Sequence, residues 1–377
     1  MRKAFLYRIY PTRAQTTRLS AMLEECRWLY NSTLAYRKDE WEQKSRTANW
    51  YETKARIPIL KQARPSLKEV HSQVLQNVTQ RVDLAFQAFF RRVKVGEEVG
   101  YPRFRGEGRY DSMCYPQYGN GANLSDNTLH LSKVGPLKVV LHRPLEGTPK
   151  TVCIRRSSTG KWYATFSCEW EPTVLPASSE RVGIDVGLKT FATLSTGDEI
   201  PNPRFFRSEE TALAKANRML SKQEKGTPAR SRRRKVVARV HERTRWRRDN
   251  FSHQHSRSIV NRYGLIAVED IEVNRMIHNH CLAKSISDAA WVGFRGMLGV
   301  KAEWAGRRFI VVNPAYTSQT CSGCGHRLAS DRRLGLSKRV FDCPYCSLQI
   351  DRDLNASLNI LALGQQSVGS IPGSPRL

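Results

Sequence analysis

Acidic residues are scarce in this chain: 34 Asp and Glu stand against 62 Lys and Arg in 377 residues, for a formal net charge of +28. That imbalance points to a polyanionic partner, and nucleic acid is the commonest one. Long apolar runs are missing as well. None approaches the roughly 18–20 residues that a bilayer span needs, so no membrane partner is expected. The first residues, Met1-Arg-Lys-Ala-Phe-Leu, hold no signal-peptide core or cleavage site. The expectation is a cytoplasmic, nucleoid-associated protein. No Ser/His/Asp triad, phosphate-cradling glycine loop or clear helix-turn-helix is found. Cysteine is thin outside one cluster: Cys26, Cys114, Cys153, Cys168 and Cys281 are scattered. They are expected to be small buried apolar residues, because a disulfide framework is out of place with an odd total of nine in a reducing compartment.

What is present is concentrated near the C-terminus. Cys321-Ser-Gly-Cys324 and Cys343-Pro-Tyr-Cys346 have the paired Cys-x2-Cys spacing of a four-thiolate zinc site. Gly323, Gly325 and Pro344 suit the tight turns that bring both sulfurs of a pair to one ion. Directly after comes Asp351-Arg-Asp353-Leu-Asn-Ala-Ser-Leu-Asn-Ile, carboxylates opening a short helix. Two more acids stand out. In Arg181-Val-Gly-Ile-Asp185-Val-Gly, a strand sets Val182, Ile184 and Val186 on one face and Asp185 on the other with two glycines. That leaves a bare backbone surface on which a metal and a phosphate can both approach. Tyr263-Gly-Leu-Ile-Ala-Val-Glu269-Asp reads as a parallel strand buried on both faces, with Glu269 emerging at its C-terminal end and Asp270 as its competitor.

Converging carboxylates need cations, and oxygen ligands select hard ions such as Mg2+ or Mn2+. Two such ions per site suit phosphodiester hydrolysis, with Asp185 bridging and Glu269 and Asp353 holding one each. Asp351 is the runner-up to Asp353. His278 and His280 beside Cys281 read as a solvated loop.

The rest of the chain reads as follows. Residues 2 to 10 alternate as a strand. Thr12 and Gln15 form a capping box for a helix to about residue 44. A second helix, striped by Val74, Val78, Val82 and Phe89, carries His71, Gln73, Gln76, Asn77, Gln80 and Arg81 on its polar side, a set suited to base edges or phosphates. Trp50, Tyr51, His71 and Gln76 are candidates for reading DNA. Tyr101, Arg103, Phe104 and Arg105 interleave rings and charge as nucleic-acid contacts do. Strands are expected at 128–131, 137–141, 151–155 and 162–170, closing a small barrel with the first strand. Residues 171–179 read as a linker. The segment 207–248, with Arg232, Arg233, Arg234, Arg243 and Arg247 among its many cations, reads as a helical hairpin broken at Gly226-Thr-Pro and lying against a polyanion. A helix from Ser285 through Trp304 and a buried strand at 309–313 precede the thiols.

Val182-Gly-Ile-Asp-Val-Gly-Leu-Lys, Ile266-Ala-Val-Glu-Asp, Ser318-Gln-Thr-Cys-Ser-Gly-Cys-Gly and Cys343-Pro-Tyr-Cys with Asp351-Arg-Asp-Leu-Asn-Ala together resemble the TnpB family, over nearly the whole chain. Those proteins are transposon-encoded RNA-guided DNA nucleases related to type V CRISPR effectors. The resemblance implies an α/β, RNase H-like (RuvC) nuclease whose acids map onto Asp185, Glu269 and Asp353, with an inserted zinc ribbon. It implies a wedge-like β-barrel at 1–11 and 96–178, a helical recognition insert at 12–95, the nuclease at 179–320 and 347–363, the ribbon at 321–346 and a disordered tail at 364–377. The implied partners are a guide RNA from the element itself and double-stranded target DNA beside a short transposon-adjacent motif, the whole being a monomeric ribonucleoprotein. A non-cleaving guided regulator and an RNase H-like transposase are the alternatives. The intact acids argue against the first, the missing end-recognition module against the second.

Overall fold

Strand β1 (Arg2–Tyr10) realises the alternation of its sequence: Phe5, Tyr7 and Ile9 are buried while Leu6 and Tyr10 face out. The computed structural model describes residues 1–329, 334–335 and 338–369, and the chain in it divides into two units, Met1–Glu171 and Pro172–Leu377.

In the first unit the expected capping box is formed, Thr12 accepting from the amide of Gln15 and the Gln15 side chain from that of Thr12, and it opens α1 (Arg13–Lys44). Short helices α2 (Trp50–Ala55) and α3 (Ile57–Ala63) and a 3-10 turn at Pro65–Glu69 lead to α4 (Ser72–Lys94). Helix α4 buries Val74, Val78 and Val82 as its spacing requires, but the stripe ends on Phe86, with Phe89 only partly buried. Then come β2 (Ser112–Tyr115), β3 (Ala122–Ser125), β4 (Thr128–Leu131), β5 (Gly135–Val140), β6 (Thr148–Arg156) and β7 (Trp162–Glu169). With β1 they make one antiparallel, barrel-like sheet of order β2-β6-β7-β1-β5-β4-β3. Strands β2 and β3 were not expected. Each is four residues long and is held by a single neighbouring strand, β2 by β6 and β3 by β4.

Three of the five scattered cysteines depart from the expectation. Cys114 and Cys153 sit opposite each other in the β2/β6 register and are joined as a disulfide. The pairing spans a sequence separation of 39, so only the strand register brings the two thiols together. Cys281 is exposed, while Cys26 and Cys168 are buried as expected.

In the second unit, residues 172–180 have no regular structure but pack along it. The Leu175 amide donates to the Ala305 carbonyl at 3.1 Å, and Arg307 donates to that of Pro176 at 2.7 Å. Strands β8 (Arg181–Val186), β9 (Thr190–Leu194) and β10 (Glu199–Pro201) precede the helical hairpin α5 (Phe205–Ser221) and α6 (Pro228–Arg262). Strand β11 (Leu265–Glu269), helices α7 (Val273–Met276), α8 (His280–Ala289) and α9 (Trp291–Trp304), and strand β12 (Arg308–Val312) follow. The hairpin β13 (Val340–Asp342) and β14 (Gln349–Asp351) leads into α10 (Arg352–Gly369). The main sheet runs β10-β9-β8-β11-β12, antiparallel through β8 and parallel from β8 to β12. Val182, Ile184, Ile266 and Val268 meet Ile259, Phe294 and Leu298 on one face, and Leu265, Ala267 and Val312 meet Ile360 of α10 on the other.

Four readings change here. The helix expected from Ser285 to Trp304 is two helices, broken at Ala290 with φ 54°. Asp288 of α8 is buried and accepts from the Phe206 amide, capping the start of α5. Strand β12 is an edge strand, since among the described residues only β11 pairs with it, and Val311 on it is 45% exposed. Helix α10 continues to Gly369, past the expected start of the tail; residues 370–377 of that tail lie outside the described residues.

The fourth concerns Gly183. Its bare face is not open to a ligand: a Cβ there would lie 2.1 Å from the Ser357 carbonyl oxygen and 2.6 Å from the Leu361 nitrogen, both in α10. The glycine lets helix and strand backbones touch. Gly183→Ala is therefore expected to lower stability by about 1–3 kcal/mol or more, read as a fall in denaturation midpoint, with α10 displaced; an unchanged midpoint sinks this packing argument.

Candidate active site

Asp185 and Glu269 are brought together by register. Ile184 of β8 is the Cα partner of Val268 of β11, the last pair between those parallel strands. The next residue on each is the acid, so two carboxylates stand side by side at the C-terminal ends of adjacent strands. Asp353 comes from the first turn of α10, the helix packed on β8 and β11. The charges feel each other. Burial pushes the Asp185 carboxyl well above the usual range, and the negative charges of Glu269 and then Asp353 add to that. Asp185 retains some accessible surface, yet the protein packed around its carboxylate decides its electrostatics. Glu269 is also raised by burial, opposed by a hydrogen bond from the Thr317 hydroxyl.

The competing acids are otherwise engaged. Asp270 pairs with Arg295 at 2.5 Å. The Asp351 carboxylate accepts from the amides of Asp353 at 2.8 Å and Leu354 at 3.1 Å, capping α10. Asp353 lies 3.5 Å from Arg352 and 3.6 Å from Arg339. Three carboxylates, with Glu269 and Asp353 both close enough for their charge to act on the buried Asp185, are the donor set hard divalent cations take.

The four thiols fit a different ion. Cys321, Cys324, Cys343 and Cys346 place their sulfurs all within 4.8 Å of one another. Cys321–Cys346 and Cys324–Cys343 are both 3.6 Å apart. Tetrahedral Zn–S bonds of about 2.3 Å put sulfurs roughly 3.8 Å apart. Each knuckle turns as such sites require, the Gly325 amide donating to the Cys321 carbonyl and Ser347 to Cys343, with Gly325 (φ 75°) and Ser347 (φ 59°) left-handed. Among the described residues this is the one group of three or more ligating side chains that tight, so the three carboxylates are spaced more widely.

Candidates for nucleic-acid contact fall into two sets. Tyr51 (72% exposed), Phe104, Arg232, Arg233 and Arg234 project into solvent. The others have partners inside their own unit, although Tyr101, Arg103, Arg105, Arg243 and Arg247 are exposed as well. Trp50 donates to Thr79 at 3.3 Å, Asn77 accepts from Arg81, and Thr79 donates to the Gln76 carbonyl. His71 packs on the Tyr115 ring and against Gly121. Tyr101 stands edge-on to Phe86 and Phe89. Arg103 approaches Gly100, and Arg105 is held through its backbone by both atoms of the Asn31 amide and lies over Tyr30. Arg243 and Arg247 both clamp Glu209, a buried carboxylate on α5. Both arginine side chains nevertheless stay about half exposed, at 58% and 49%. Sequence reasoning missed Thr317, Arg339 and Arg352, and gave no role to Asn355 and Asn359; the signal was two polar residues four apart inside an otherwise apolar helix stripe.

Comparison with known proteins shows the family. A family profile described as "Probable transposase" matches residues 165–280, and one described as "Cas12f1-like, TNB domain" matches 291–360. A protein of Streptomyces pristinaespiralis named "Putative RNA-guided DNA endonuclease" is 36% identical over 371 residues, covering 97% of this chain and 90% of its own. The chain belongs to the TnpB family. Another relative, "Putative RNA-guided DNA endonuclease InsQ" of Escherichia coli (strain K12), is 28% identical over 96% of this chain and 92% of its own. In fold, the chain resembles the mini-RNA-guided endonuclease CRISPR-Cas_phi3, with a TM-score of 0.52 at 10% identity over 100% of this chain and 94% of that one. A profile described as "Helix-turn-helix domain" also matches residues 1–46. The structure has one strand and one long helix there. No described helix of this family member is long and apolar enough to cross a membrane.

Proposed function

We propose that this protein is an RNA-guided DNA endonuclease cutting at a single RuvC-like site made of Asp185, Glu269 and Asp353. The observation that carries the reading is the β8/β11 register, which sets Asp185 beside Glu269 with the Asp353 helix packed on the same strands. A mixed sheet with antiparallel β10-β9-β8 followed by parallel β11 and β12 suits an RNase H-like nuclease. Relatives named as RNA-guided DNA endonucleases supply the substrate class.

When bound, a pair of Mg2+ or Mn2+ ions supplies an activated water and stabilisation of the leaving oxygen. Asp185 would bridge the pair, and Glu269 and Asp353 would hold one ion each. Burial leaves Asp185 and Glu269 little water of their own, so cations are what offset their repulsion. The four thiols would hold one structural zinc. The net charge of +28 and the exposed arginines of α6 favour a long polyanion, here a guide RNA and its target duplex. The barrel-like sheet of the first unit would be the wedge carrying the helical insert, and a transposon-adjacent motif beside the target would license opening. The particle would be a monomeric ribonucleoprotein.

The test is to purify the full chain from cells transcribing its own locus and to sequence the bound RNA. One defined transcript is expected, with Mg2+-dependent cutting of a DNA library carrying the complementary sequence and randomised flanks. A protein that emerges free of RNA, and that no transcript from the locus stimulates, overturns the proposal.

A further inference from the structure

We infer that Thr317 is a positioning residue for Glu269, and that Asn355 and Asn359 tie it to the first zinc-binding knuckle, so that the thiolate module sets the orientation of a carboxylate. The inference rests on the nuclease reading above. Thr317 is 5% exposed, and its hydroxyl has one proton with two oxygens in reach, Glu269 Oε1 and the Pro314 carbonyl at 3.2 Å. The Glu269 carboxyl oxygen is the nearer acceptor, so it receives the hydrogen bond. With Oε1 held, Glu269 has one orientation to offer a cation rather than a rotating pair of oxygens.

Thr317 is itself held in place. Asn359 on α10 donates its two amide protons to the carbonyls of Thr317, at 2.8 Å, and Thr320, at 2.7 Å. One turn earlier Asn355, 0% exposed, donates to the same Thr320 carbonyl at 2.8 Å and accepts from the Ser322 amide at 2.9 Å. Thr320 and Ser322 flank Cys321, the first thiol. Both asparagines lie on one face of the helix that begins with Asp353. A single helix thus supplies one carboxylate and clamps the turn that orients another, and the clamp closes around a zinc ligand. A buried Asn with both ends of its amide satisfied by backbone is a geometric lock, because any other arrangement strands polar groups away from water.

The test uses the full chain with its copurified RNA and Mn2+ as probe. Site-bound Mn2+ is read by electron paramagnetic resonance as the binding lost in Asp185→Ala, and cutting is titrated with Mn2+ in parallel. Thr317→Val is expected to weaken that site roughly 10–100-fold and to raise the Mn2+ needed for half-maximal cutting by the same factor. Zinc content, RNA binding and melting temperature should stay at wild-type values, and Thr317→Ser should restore the affinity. Asn359→Ala, with zinc retained, should give a metal shift in the same direction. A Thr317→Val protein with wild-type Mn2+ affinity overturns the inference, as does a Thr317→Ser protein no better than valine, since then packing rather than the hydroxyl matters. A wild-type protein with no Mn2+ beyond the Asp185→Ala background sinks the nuclease reading, and this inference with it.

Discussion

Replacing Asp185 by Asn is expected to stop DNA cutting while making the metal-free protein more stable. Asn keeps the shape of the side chain and removes its charge, so two divalent ions lose the group that would bridge them. The expected fall in cleavage rate is at least about 10³-fold, equivalent to about 4 kcal/mol of transition-state stabilisation. RNA binding and target binding should change little. The stability gain follows from the raised carboxyl. Burial and the charges of Glu269 and Asp353 make the ionised form costly in the folded state. Between the ordinary carboxylate range, about pH 4, and the raised folded value, the native state holds a proton that the unfolded chain has released. Stability of the wild type in Mg2+-free buffer should therefore fall as pH rises through that window, and the slope should flatten in Asp185→Asn. Melting curves from pH 4 upward, with zinc retained, read both effects. A lower melting temperature for the variant at neutral pH, or loss of RNA binding, would show Asp185 to be a structural residue instead.

The second large effect is expected at the thiols. Cys343→Ser should take zinc from one per chain to near none and unfold the two thiol knuckles and the β13/β14 hairpin. The reason is size. The module's core consists of Cys321, Leu328, Phe341 and Cys343 with Leu334, Leu348 and Ile350 packed partly against it. So few apolar residues cannot offset the entropy of ordering the segment, and structural zinc supplies about 10–16 kcal/mol in modules of this kind. Because β14 runs straight into α10, Asp353 loses its fixed approach, and cutting should fall by roughly 100-fold or more. Elemental analysis measures the zinc, and limited proteolysis should gain cleavage sites between residues 322 and 346. A serine variant that keeps one zinc and cuts like the wild type would remove the four-thiolate assignment.

Much of the site was legible in order along the chain because its chemistry is local. Paired Cys-x2-Cys needs no partner to be recognised, since short turns alone bring each pair of sulfurs to one ion. Asp185 and Glu269 each end or interrupt an apolar strand pattern, which marks a charge held where charge is costly. The capping box at Thr12 and the stripe of α4 are likewise set by residues within a turn of each other. The resemblance to one family added the substrate class, which composition alone left at polyanion.

Tertiary structure decided what depends on residues far apart. Asp351 and Asp353 differ by two positions, and only the cap on α10 shows the first to be committed to backbone amides. Gly183 read as an opening for a ligand until α10 was found lying on it. Arg243 and Arg247 reach Glu209 across the hairpin while staying exposed, a partner their own segment does not reveal, and Cys114 read as a small buried apolar residue until β6 paired with its strand. In each case the deciding neighbour comes from another segment, beyond the reach of any local period or spacing. Sequence by itself therefore determined which groups can do chemistry in this protein; the fold decided which of them are free to do it, because burial and pairing are properties of what packs alongside.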